Sequence, residues 1–169
     1  MILDLFNFSK LRRALVYAVY LLLALLLQGV FGSRITLFGV HALFLPAAVV
    51  AVGMLENGVW GGLFGLVLGI LADAGFVENT VLFTILFALI GFFSGFAAAF
   101  LVNRRFFSYL AVSLAALLLT ALCQMIGVWA SDGVSWCALG TVALQALWSM
   151  PMAAVLYFPA RFIAGRDWE

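Results

Sequence analysis

Two ionisable side chains lie within the apolar part of this chain and could do chemistry there. His41, the only histidine, falls near the start of one apolar run, and Asp73 falls near the end of the next. An acid and an imidazole inside a membrane suit a proton relay, which needs both groups within reach of each other. A single imidazole cannot specify a metal site, because zinc takes three or four protein ligands. The plainer interpretation of His41 is a side chain at headgroup level, hydrogen-bonded to a neighbour.

The usual catalytic signatures do not occur in the sequence. It contains no HExxH, no GxSxG and no phosphate-binding P-loop. Intramembrane proteolysis would need a serine with a histidine, a metal, or two buried aspartates, and the chain offers one histidine and one plausible aspartate. Its two cysteines, Cys123 and Cys137, are too few for a disulfide framework or a zinc site by themselves. We therefore predict that the protein is not an enzyme and has no cofactor.

Asp73 has two interpretations. A carboxylate within an apolar segment is by default a candidate functional residue, because its burial in lipid is costly. Alternatively, it caps a helix N-terminus, where a negative charge meets unpaired backbone N–H groups. The places for such a cap are the Asn79–Thr80 turn and the start of the following helix. The sequence favours neither interpretation over the other, but both place Asp73 at the outer end of its helix.

Small residues recur with a period of four in the same segment. Gly61, Gly65 and Gly69 share one face of a helix, and Asp73 continues that stripe. A face without side chains lets another helix approach closely, which matters in lipid because no hydrophobic force drives helices together. The face therefore either packs within this protein's own bundle, which we favour, or docks a partner's helix. A shorter version of the pattern is formed by Gly91 and Gly95.

Prolines and amides mark places where a helix could bend or a pocket could form. Pro46 and Pro151 lie inside predicted spans, and each lacks the N–H that a helix needs. A kink at either proline could shape a cavity, and Gln28 and His41 are further candidates for lining a pocket. Amide side chains also join helices by hydrogen bonds, and we favour that role for Gln28, Gln124 and Gln145.

The elements that position these residues follow from composition. Hydrophobic residues make up 67% of the 169 residues and charged residues 9%, and the mean hydropathy is +1.26. Soluble domains are about half apolar and a quarter charged, so we predict an integral membrane protein. Continuous apolar runs exclude barrel strands, which alternate, and predict an all-α, six-transmembrane-helix bundle in a single domain, 1–169. The spans lie near 14–31, 35–55, 58–77, 80–102, 106–130 and 136–160.

Basic residues set the predicted orientation. Six spans place both termini on one side, and seven of the eight basic residues fall there, with Arg34 alone on the other. Short loops rich in Lys and Arg stay in the cytoplasm, so both termini are predicted to be cytoplasmic. A net charge of +1 gives no electrostatic footprint for nucleic acid. The seven residues are Lys10, Arg12, Arg13, Arg104, Arg105, Arg161 and Arg166.

Several of these features stand in an order that is known from one family. A small six-span protein resembles the rod shape-determining protein MreD family when it has a proline in span two, then an acidic residue, then a glycine-rich span ending in Gly-x-Leu-x-Asp. The resemblance covers residues 20–105, and length and topology agree over the whole chain. The family often has an aspartate directly after the proline, where this chain has Ala47. The matching residues are Pro46, Glu56, Gly69, Leu71, Asp73 and Gly91.

The resemblance implies a non-enzymatic subunit of the bacterial elongation machinery in the cytoplasmic membrane. Such proteins bind the single-span protein MreC and through it help to link the actin-like MreB to the transglycosylase and transpeptidase that build lateral wall. The family's fold is similar to that of the S components of energy-coupling-factor vitamin transporters, with a substrate pocket near the outer face. The alternative function is therefore such a vitamin-binding subunit. The sequence leaves open a homodimer and a lipid or small molecule in an outer pocket.

Overall fold

The protein is a bundle of helices with a central short helix. The computed structural model describes residues 8–34, 36–37, 40–75, 81–100, 106–132 and 136–165. Along the chain the elements are α1 (Phe8–Arg34), β1 (Thr36–Leu37), β2 (Val40–His41), α2 (Leu45–Leu55), α3 (Gly58–Gly75), α4 (Leu82–Phe100), α5 (Phe106–Asp132) and α6 (Trp136–Ala164).

Five of these helices are long and apolar enough to cross a membrane, and α2 is the shorter exception. The prediction of a helical membrane protein is confirmed at that level. Three of the seven basic residues that set the predicted orientation, Arg104, Arg105 and Arg166, lie outside the described residues, as does the Asn79–Thr80 turn.

The predicted second span, 35–55, is wrong as a continuous helix. Thr36 pairs with His41 in a small antiparallel hairpin formed by β1 and β2, and helix begins only at Leu45. Pro46 occupies the first turn of α2, where the missing N–H costs nothing because first-turn N–H groups have no helical partner. The proline thus starts a helix rather than kinking one.

The core of the bundle is built around α2. All residues from Leu45 to Met54 are buried, and α2 contacts α1 and each helix from α3 to α6. Its sequence, LPAAVVAVGML, is apolar on every face, which is the pattern of a helix enclosed on all sides. Its many small residues allow the surrounding helices to approach closely.

The chain from 42 to 56 runs antiparallel to α1. Gln28, near the end of α1, bonds to the backbone at Ala42 and Phe44, while Arg13, near its start, forms a salt bridge to Glu56. Fifteen helical residues separate Arg13 from Gln28, a rise of about 22 Å at 1.5 Å per residue. The segment therefore traverses the bundle once, partly as irregular chain and partly as helix.

Tyrosines tie α5 and α6 to the central helix. The Tyr109 hydroxyl shares its single hydrogen between two carbonyl oxygens, that of Ala153 at 2.9 Å and that of Ala47 at 3.2 Å. The rings of Tyr109 and Tyr157 lie 4.9 Å apart. Pro151 is exposed on α6, and the helix continues through it.

Candidate functional site

The glycine face of α3, formed by Gly61, Gly65 and Gly69, packs against α4. All three glycines are buried, and α3 and α4 share the most extensive helix contact in the described structure. A Cβ added at Gly61 would lie 2.5 Å from the Gly91 carbonyl oxygen, and one added at Gly65 would meet the Phe87 carbonyl. The two backbones are therefore in direct contact, and the face is filled by this protein's own helix.

A third backbone joins this contact from α2. A Cβ added at Gly61 would also lie 2.6 Å from the Gly53 Cα, and one added at Gly53 would lie 2.5 Å from the Gly91 carbonyl oxygen. Gly95 in turn packs on the backbone of Gly58. The Ser94 hydroxyl, beside Gly53, donates to the Gly91 carbonyl at 2.9 Å. Gly53 was missed by the sequence analysis because it stands alone on its helix, with no repeat to mark it.

Asp73 caps the N-terminus of α4 from the end of α3. Its Oδ1 accepts the Phe83 N–H at 3.2 Å, and its Oδ2 accepts the Thr84 N–H at 2.9 Å and the Thr84 hydroxyl at 2.6 Å. First-turn N–H groups have no partner within their own helix, and the positive end of the helix dipole favours a carboxylate there. This is the second of the interpretations offered for Asp73, and it places the carboxylate in the same α3–α4 contact as the glycines.

Gln28 satisfies the backbone of the irregular segment before α2. The side chain is 5% exposed; its Nε2 donates to the Ala42 carbonyl at 2.6 Å and its Oε1 accepts the Phe44 N–H at 2.9 Å. Between these residues, the Leu43 N–H donates to the Ser149 hydroxyl at 2.9 Å. Non-helical backbone at membrane depth is tolerated only where the protein itself satisfies it. Gln28 and Ser149 provide these hydrogen bonds.

The remaining predicted residues are spread along the bundle. His41 ends β2 and is exposed. The Gln145 amide donates to the Gln124 carbonyl oxygen at 3.3 Å, which joins α6 to α5. The structure thus uses these amides to connect elements. Gln28 bonds to the segment before α2, Asp73 bonds to the first turn of α4, and Pro151 is exposed on α6, so these three residues do not meet in one place.

A cleft of about 290 Å³ opens at the other end of the bundle, between the start of α1 and the start of α3. At its polar end, Arg13 Nη2 lies 2.6 Å from Glu56 Oε1. The sequence analysis counted Arg13 only as a topological charge and Glu56 only as part of a motif. The cleft is lined by Arg13, Ala14, Tyr17, Glu56, Asn57, Trp60 and Phe64.

The described residues contain no group of three or more His, Cys, Asp or Glu side chains that could hold a metal ion. No protein-family model, curated protein or solved structure matches this chain. The function must therefore be argued from the residues themselves.

Proposed function

We propose that this chain is a non-enzymatic, MreD-like membrane subunit of the bacterial elongation machinery. In this proposal it binds an MreC-like single-span protein in the cytoplasmic membrane, with both termini in the cytoplasm. Through that partner it connects an MreB-like filament to the enzymes that build lateral wall. It acts by contacts between helices and carries out no reaction of its own.

The observation that supports the proposal is that four residues of the sequence resemblance, Pro46, Gly69, Asp73 and Gly91, lie in three helices that pack together. Pro46 starts α2, the glycine face of α3 packs against Gly91 of α4, and Asp73 caps α4. Residues that are distant in sequence thus hold three consecutive helices in direct backbone contact. We call this the α2–α4 unit. A rigid unit of this kind suits a protein whose task is to present a fixed surface to another helix.

The packing of the α2–α4 unit also limits where a partner helix can bind. The glycine face cannot receive a partner's helix, because α4 already covers it. A single-span partner must therefore bind on the outer perimeter, where each long helix exposes apolar side chains.

The carrier alternative draws less support from the geometry. An outer-face pocket would need polar groups free to meet a ligand, and Gln28 and Asp73 are engaged with backbone instead. The cleft between α1 and α3 lies at the opposite end of α1 from Gln28.

Capture of the protein from its own membranes in mild detergent, followed by mass spectrometry, tests the proposal. We expect a single-span protein of the MreC type at near-equal amounts. Recovery of a coupling membrane protein with paired ATPases instead would support the carrier function and contradict this proposal.

Photo-crosslinking would locate the partner. We expect a crosslink to the single-span protein from at least one exposed position and none from Leu68, which is buried beside the glycine face. A crosslink from Leu68 would mean that the glycine face opens to the partner. Suitable exposed positions, one on each long helix, are Leu22, Val67, Leu89, Leu119 and Val155.

A further inference from the structure

The cleft between α1 and α3 has a polar end with unused hydrogen-bond donors. Tyr17 is 1% exposed, and its hydroxyl lies beside the Arg13 and Glu56 side chains, yet neither this hydroxyl nor Arg13 Nε completes a hydrogen bond among the described residues. Both side chains line the cleft. A buried donor without an acceptor destabilises the folded protein. Two such donors beside one cavity, with Glu56 Oε1 also outside any hydrogen bond, fit a ligand that carries both acceptor and donor groups.

The polar end also carries a negative charge. Glu56 has a side chain only 13% exposed and forms the salt bridge with Arg13. The pair has no net charge, so a ligand with one positive and one negative group fits it better than an anion does. Because Arg13 and Glu56 lie side by side, the two charges of the ligand must also be adjacent.

The other end of the cleft is an aromatic wall. The rings of Trp60 and Phe64 stack at 5.8 Å, and the rings of Phe64 and Tyr17 lie 6.2 Å apart. Trp60 is 38% exposed, and its neighbours Val59 and Leu63 are exposed as well. Tryptophan beside exposed apolar residues is typical of the level where lipid headgroups meet acyl chains. The ligand is therefore polar at one end and apolar at the other.

We propose that this cleft binds a phospholipid with a phosphoethanolamine headgroup. The phosphate oxygens accept hydrogen bonds from Tyr17 and from Arg13, and the primary ammonium donates to Glu56. The acyl chains extend along Trp60 and Phe64. A trimethylammonium headgroup has no N–H groups to donate to Glu56, and an anionic headgroup has no ammonium to place beside Glu56. This site is independent of the proposed function in cell elongation.

The test uses the purified full chain in nanodiscs of phosphatidylethanolamine, phosphatidylcholine or phosphatidylglycerol, with retained lipid measured by native mass spectrometry. We expect phosphatidylethanolamine to be retained at least several-fold over the other two. The comparison is made at raised salt, because salt screens the general attraction of anionic lipid to exposed arginines such as Arg12. Equal retention of all three lipids would overturn the proposal.

Two tyrosine variants separate binding from folding. Tyr17→Phe removes a hydroxyl that makes no hydrogen bond among the described residues, so we expect it to lower the retention of phosphatidylethanolamine several-fold and to keep its stability in lipid-free detergent. Tyr20→Phe is the control, because its hydroxyl donates to the Leu156 carbonyl at 3.0 Å; we expect lower stability and unchanged retention of phosphatidylethanolamine. Unchanged retention by Tyr17→Phe would contradict the assignment.

Soluble phosphoethanolamine, which has the headgroup without acyl chains, identifies the source of the ligand. We expect it to compete poorly, because the aromatic wall formed by Trp60 and Phe64 has nothing to bind. Competition as strong as that of the whole lipid would show that the cleft takes a free metabolite, and the lipid assignment would be wrong.

Discussion

Polar side chains inside this bundle bind backbone groups that would otherwise have no partner. Gln28 reaches both a carbonyl and an N–H of the segment before α2, and Asp73 reaches the first turn of α4. Neither lipid nor a neighbouring strand could replace these bonds. At the scale of single residues, therefore, the intramembrane polar groups stabilise irregular backbone and helix ends. Removing any one of them should lower the free energy of unfolding by a measurable amount.

Gln28→Met keeps the length of the side chain and removes both hydrogen bonds. We expect it to lower the free energy of unfolding by about 2–4 kcal/mol, because two buried backbone groups lose their partners. Unfolding in mixed detergent micelles measures this. The matched control is Gln145→Met, which removes a half-buried amide with one 3.3 Å side-chain bond and should cost less than half as much. Equal decreases in the free energy of unfolding would mean that the hydrogen bonds from Gln28 to the backbone stabilise the protein no more than the Gln145 bond does.

Asp73→Ala removes the cap of α4. Loss of such a cap costs about 1–2 kcal/mol, and we expect that destabilisation with faster hydrogen exchange at Phe83 and Thr84. Asp73→Asn should fall between Ala and the natural residue, because its one carbonyl oxygen replaces two carboxylate oxygens. A variant Asp73→Ala that is as stable as the natural chain, with unchanged exchange, would show that the carboxylate has another role.

At the scale of elements, the α2–α4 unit depends on backbone contact rather than on side-chain interlocking. Gly53, Gly61 and Gly91 bring three helices together at one point, and Ser94 places a hydroxyl there without a bulky side chain. Close approach through small residues is how membrane helices gain packing energy. One methyl group at the contact should therefore be felt by all three helices.

Neighbouring glycines on α3 provide the test. Gly61→Ala places a methyl group 2.5 Å from a carbonyl oxygen, and overpacking of this kind costs about 1–3 kcal/mol. Gly62→Ala, one residue on, meets its nearest atom at 3.5 Å, so we expect it to be neutral or to stabilise the helix by up to about 1 kcal/mol. Unfolding in detergent compares the stabilities of the two variants. Similar changes in the free energy of unfolding would contradict the close packing at Gly61.

The four-residue glycine period on α3 could be read from the sequence, because a helix face is a local property. The interruption before α2 could not. Pro46 fits both a kinked helix and the first turn of a new one, and the choice depends on whether the preceding backbone finds partners. Those partners are Gln28, 14 residues from Ala42, and Ser149, 106 residues from Leu43. No local pattern predicts contacts at such separations.

At the scale of the whole molecule, the short α2 still completes a crossing. The irregular segment and α2 together run beside α1 from the level of Gln28 to that of Arg13. Five long helices and one composite segment therefore traverse the bundle six times. The same arrangement places the cleft at the end where α1 begins, which the sequence analysis did not predict because its lining comes from two helices and a turn.

Labelling of single cysteines with a membrane-impermeant maleimide tests this arrangement most directly, in a Cys123→Ala, Cys137→Ala background. His41 and Asn57 are exposed at the two ends of the composite segment. We expect His41→Cys to label in intact cells, with Gly75→Cys, and Asn57→Cys to label only after permeabilisation. Labelling of His41→Cys and Asn57→Cys from the same side would contradict the second crossing and the account built on it.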